Sequence, residues 1–122
     1  MQLSEYQNLA MRTNDGKCND RLKWEVENRY VTPDAGEVIN ACLGLAGEVG
    51  ELNDMIKKAI YHGHDLNTSD LFKELGDIMW YVAMMADAFG VSMDLICEIN
   101  INKLKKRYPE GFSEQASINR SE

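Results

Sequence analysis

Leu45-Ala46-Gly47-Glu48-Val49-Gly50-Glu51-Leu52 and Leu71-Phe72-Lys73-Glu74-Leu75-Gly76-Asp77-Ile78 repeat one pattern, Leu-x-x-Glu-apolar-Gly-acid-apolar. At about 100° per residue, the two acids of each copy lie roughly 60° apart on a helix, on one shoulder of an apolar stripe. Around the first copy the stripe runs Val38, Cys42, Leu45, Val49, Leu52, Ile56 and Ala59. Around the second it runs Leu71, Leu75, Ile78, Val82, Met85 and Phe89. Alternating steps of three and four make a seam for helix packing, too short and irregular for an extended coiled coil. No stretch alternates as a strand would. The chain is expected to be all-α, a compact four- to five-helix bundle.

Boundaries follow from local chemistry. A helix over Ser4 to Thr13 is expected to start on a Ser4/Gln7 capping box and to end at Asn14-Asp15-Gly16. Residues 14–32 are polar and irregular, with at most a turn or two of helix between Asp20 and Arg29. Thr32-Pro33-Asp34, with Glu37 three residues on, opens the second helix, which should run to Ile60. The third runs from Asn67-Thr68 to Phe89, with Gly90 as its stop, and the fourth from Ser92 to Tyr108-Pro109. Residues 1–112 form the expected domain, with its core at 33–112. Residues 113–122 form a polar tail, expected to be poorly ordered.

Composition narrows the function. The 122 residues carry a net charge of −7. Residues 38–77 hold three Lys against seven Asp and Glu, a local excess of −4. Such a surface disfavours nucleic acid and anionic membrane, which select basic proteins. The longest apolar run, Ile78 to Ala86, is far too short to span a bilayer. Cys18, Cys42 and Cys97 are odd in number and lack metal-ligand spacing. With no signal-like start, this places the expected location in the cytoplasm.

Antiparallel packing of the two central helices would bring Glu48, Glu51, Glu74 and Asp77 together. Four carboxylates so placed repel one another unless a cation intervenes. Mg²⁺, or Mn²⁺ in its place, suits them, because it takes carboxylate oxygens and keeps positions open for water and phosphate. No Glu has a His three residues later, which disfavours a ferritin-like di-iron site. His62 and His64 fall in the turn after the second helix. Gly44, Gly47, Gly50 and Gly76 each cost a helix about 1 kcal/mol. Close packing or close ligand approach is expected to offset that.

Taken with a third block, Asn100-x-x-Lys103-Leu104-x-x-Arg107-Tyr108-Pro109-x-Gly111-Phe112, the two acidic blocks resemble the MazG-like all-α nucleoside triphosphate pyrophosphohydrolases. The resemblance covers about residues 33–112 and, more weakly, the first helix. It implies a homodimer or homotetramer and Mg²⁺-dependent cleavage between the α and β phosphates of a nucleoside triphosphate. It also implies Glu48, Glu51, Glu74 and Asp77 as metal ligands, one of which orients the attacking water. Lys103 and Arg107 would hold the outer phosphates and Asn100 the sugar or a phosphate. These three share a helical stripe with Ile96, where the structural alternative is a basic helix end complementing the dipole. Lys58, on the stripe of Glu48 and Glu51, is a candidate phosphate contact or else an ion-pair partner. Tyr81, four residues after Asp77, is a candidate base or sugar contact. Trp80 is expected to point away from the acids, toward packing or a subunit contact. A pyrimidine-specific dUTPase- or dCTPase-like enzyme and a non-catalytic nucleotide-binding oligomer are the alternative functions.

Overall fold

The computed structural model describes residues 1–120, and residues 121 and 122 of the expected tail lie outside the described residues. Among the described residues the chain is helical, without named strands. It comprises α1 (Leu3–Ala10), a 3-10 turn (Met11–Thr13), α2 (Cys18–Asn28), α3 (Ala35–Tyr61), α4 (Thr68–Ala88), α5 (Met93–Arg107) and α6 (Glu114–Ile118).

The long helices start where capping chemistry dictates. Asp34, Asn67 and Ser92 each accept, through the side chain, the backbone N–H of the residue three positions on, which satisfies one orphan donor of the first turn. Gly63 and Gly90 take positive φ beyond the ends of α3 and α4, where a side chain would be strained. At the amino end the expected capping box is not used. Gln2 is the N-cap, without a side-chain hydrogen bond, and Ser4 lies inside α1. α2 is a helix of 11 residues rather than a turn or two. The expected disorder beyond Phe112 is interrupted by α6, whose first turn is capped by the Ser113 hydroxyl.

The centre of the fold is the antiparallel α3–α4 hairpin. Asn40 Nδ2 donates to Met84 Sδ at 3.7 Å, Gly44 faces the Tyr81 ring, and Glu48 meets Glu74 and Asp77. The partner numbers fall as the α3 numbers rise, so the helices run in opposite directions. Small residues make the tightest contacts: Ala35, Ala41, Ala86 and Ala88 are the buried apolar residues.

The expected seam is only partly covered. Val38, Leu45, Leu52 and Ala59 are half-buried, whereas Cys42, Val49 and Ile56, spaced by sevens along α3, are exposed, as are Leu75 and Phe89 of the α4 seam and, beside that seam, Phe72 and Met79. One neighbouring helix covers only one flank of an apolar arc this wide. The accessible surface is 9931 Å², against about 6,700 Å² for a compact monomer of 13.9 kDa.

Candidate active site

The repeated acidic pattern converges across the hairpin. Glu48, Glu74 and Asp77 each offer an oxygen, and these oxygens lie within 4.8 Å of one another. Two ligands on opposite sides of Mg²⁺ stand about 4.2 Å apart, so small side-chain rotations would gather the set around one ion. The burial pattern supports that fit. Glu48 Oε2 and Glu74 Oε2 are shut off from solvent and have no hydrogen-bond partner. A buried carboxylate oxygen without a donor is costly, and this donor set fits a divalent cation.

Glu51 completes the cluster from the solvent side. Its carboxyl is pushed above the ordinary range chiefly by the negative charge of Glu74, then by hydrogen bonding to Glu74, burial and Asp77. Glu74 is also pushed up, first by its hydrogen-bonding contact with Glu48 and then by burial. The four expected acids are therefore brought together, and the crowding raises the carboxyls of Glu51 and Glu74.

Beside them lies an open cleft of about 340 Å³ lined by Glu48, Asp77, Trp80 and Tyr81. Tyr81 is where its spacing predicts. Trp80 is a correction: it lines the acidic cleft, with its ring edge-on to Tyr81 at a centroid distance of 5.0 Å. It also walls a second cleft, of about 260 Å³, with Glu37, Ala83, Met84 and Asp87. The signal was available in the sequence, because Trp80 is three residues after Asp77 and such pairs are surface neighbours on a helix.

Gly44 explains the placement of Tyr81. A Cβ at position 44 would run into Cε1, Cζ and Cδ1 of the ring, whereas at Gly47, Gly50 and Gly76 it would meet nothing within 4 Å. Of these four glycines, then, Gly44 alone is required by packing within the chain.

The basic residues are placed differently. Lys58 Nζ pairs with Asp54 at 2.8 Å, and Lys57 approaches the same carboxylate at 3.7 Å. Lys58 thus takes the ion-pair alternative, with Asp54 rather than with the four clustered acids. Asp54, held below its ordinary range chiefly by Lys58, was not singled out in the sequence. Asn100, Lys103 and Arg107 lie on α5, which packs on α4, and none of them lines the acidic cleft. Asn100 and Lys103 are exposed and Arg107 is half-buried.

The family model of the MazG nucleotide pyrophosphohydrolase domain matches residues 30–112, which include the whole acidic cluster. The chain belongs to this family. A protein of Mycobacterium phage L5, described as Gene 37 protein, is 37% identical to the chain over 82 residues, covering 64% of this chain and 72% of that protein. No solved structure matches. The MazG domain match begins in the turn after α2, so α1 and α2 fall outside it. No helix among the described residues is long and apolar enough to cross a membrane.

Proposed function

We propose that the chain hydrolyses nucleoside triphosphates, NTP or dNTP, between the α and β phosphates, releasing a nucleoside monophosphate and pyrophosphate in a Mg²⁺-dependent reaction. The cytoplasm is the proposed setting, and control of the nucleotide pool or removal of aberrant nucleotides the proposed role. The observation that carries the proposal is the convergence of Glu48, Glu74 and Asp77 within 4.8 Å, with two orphaned buried oxygens among them.

Glu48, Glu51, Glu74 and Asp77 would hold the cation, with Mn²⁺ as a substitute. When bound, it supplies the positive charge that lets phosphate oxygens enter an acidic site and makes a nearby water more acidic. Glu51, exposed like Asp77, suits orientation of the water, while the half-buried Glu48 and Glu74 fix the geometry. Trp80 and Tyr81 give the cleft flat apolar faces for the base or sugar. Asn100, Lys103 and Arg107 remain the proposed partners of the phosphates, with Lys58 as a further candidate.

Glu48→Gln and Asp77→Asn test the site. Each keeps the side-chain volume, removes a ligand charge and should lower turnover by about 100-fold or more, on the scale of losing one electrostatic group from an active site. The helical signal in circular dichroism should be unchanged. Turnover at the original rate in either folded variant would remove the cluster from the chemistry.

A further inference from the structure

α1 makes its substantial packing contacts with the 3-10 turn that follows it, yet it is amphipathic. Leu3, Tyr6, Leu9 and Ala10 fall within about 120° of its circumference, and Ser4, Glu5, Gln7 and Asn8 occupy the rest. The apolar side is left in water: Leu3 is 87% exposed, Tyr6 62% and Leu9 47%.

The join to α2 is not a loose tether. Asn14 Oδ1 accepts the Gly16 N–H at 3.1 Å, and Asp15 Oδ1 accepts the Lys17 N–H at 3.0 Å. Arg21 grips Asp15 with both terminal nitrogens, and Gly16 takes a positive φ of 71°. These bonds fix a corner that holds α1 out from its own hairpin.

The rest of the chain has a matching deficit. Its surface exceeds that of a compact monomer of its mass by about 3,300 Å², whereas a standard interface takes about 800 Å² from each partner. Exposed apolar residues occur on α2 and α5 as well, but the α3–α4 hairpin carries them in rows, along Cys42, Val49 and Ile56 and along Phe72, Leu75 and Met79. A second copy presents the same uncovered surface and can receive an arm while giving one, as a two-fold interface requires.

We infer that residues 1–13 form an exchanged arm, which lays Leu3, Tyr6 and Leu9 on the uncovered apolar surface of a second copy of this chain. The arm lies outside the part of the chain matched by the family model.

Sedimentation across a concentration series tests it with the full chain, with Leu3→Glu/Leu9→Glu and with residues 1–13 removed. Two leucines returned to water should raise the dissociation constant by more than about tenfold, and removal of the arm should raise it at least as much. An unchanged constant, or a monomeric full chain, overturns the inference. A second measurement does not depend on how the variants fold. Photoreactive benzoylphenylalanine replaces Tyr6 in a light-isotope chain, which is mixed with an excess of ¹⁵N-labelled chain. Crosslinks joining light to heavy peptides are expected. Crosslinks confined to one chain would show the arm folding back on itself, and their complete absence would leave it undocked; either result overturns the inference.

Discussion

Replacing Gly44 by alanine sets two effects of known sign against each other. An interior helix position gains about 1 kcal/mol when Gly becomes Ala. At position 44, however, the added methyl meets three carbons of the Tyr81 ring. The ring is rigid and half-buried, so it must rotate out or the helices must part. Overpacking of this kind costs about 1–3 kcal/mol. Gly44→Ala should therefore range from neutral to about 2 kcal/mol destabilised. Gly50→Ala, in the same helix with open space around its Cβ, should gain up to about 1 kcal/mol. Urea unfolding at one fixed chain concentration measures both, and the gap between the variants should be about 1–3 kcal/mol. Tyr81→Ala supplies the cycle: in that background Gly44→Ala should behave like Gly50→Ala, because the obstacle is gone. The clash should also raise KM for nucleotide as Tyr81 leaves the cleft. Equal stability of Gly44→Ala and Gly50→Ala in the presence of Tyr81 would refute the packing argument.

The raised carboxyls of Glu51 and Glu74 predict a pH dependence of opposite sign to ordinary acid denaturation. Both bind protons more tightly folded than unfolded, so their contribution is fully present below the ordinary glutamate value of 4.5 and is lost as pH rises through the raised values. Asp15 and Asp54, shifted below 3.8, contribute stability that is constant above that value and is lost only as pH falls below it. In chelator the urea midpoint should fall as pH rises above 4.5, and saturating Mg²⁺ should flatten that slope; no fall in chelator would count against the crowding. Lys58→Ala removes an ion pair of partly exposed groups and should change stability by less than about 1 kcal/mol. A role in phosphate binding predicts a higher KM as well, and an unchanged KM would confine Lys58 to its pairing with Asp54. Trp80→Ala should raise KM while leaving the urea midpoint nearly unchanged, since the ring is 58% exposed; an unaltered KM would remove Trp80 from substrate binding.

Signals carried within a few residues were legible before the fold was known. Asp34 and Ser92 are polar side chains one turn ahead of an apolar periodicity, and both cap as that pattern demands. The acidic cluster was legible because two copies of one pattern must meet when their helices pair antiparallel. The Ser4/Gln7 box misled, since α1 begins two residues earlier than that box requires. α2 was underestimated because its stability rests on features no periodicity reveals. Glu25 Oε1 accepts the N–H groups of Val31 and Thr32 at 2.5 and 2.7 Å, and Trp24 meets Tyr30 edge-on at 5.8 Å. The seam positions Cys42, Val49 and Ile56 were correctly read as apolar, but periodicity does not say which of two flanks a single partner helix covers. Trp80 lies on the acidic side because three residues of helix bring it back to within about 60° of Asp77, a neighbour rather than an opposite position.

Product analysis by ³¹P NMR tests the central claim most directly. The full chain is given a panel of NTPs and dNTPs, first with Mg²⁺ and then with excess chelator. Nucleoside monophosphate and pyrophosphate should appear in equal amounts from at least one substrate with Mg²⁺, and neither should appear in chelator. Nucleoside diphosphate with inorganic phosphate, turnover that persists in chelator, or silence across the panel from a folded chain would contradict the assignment.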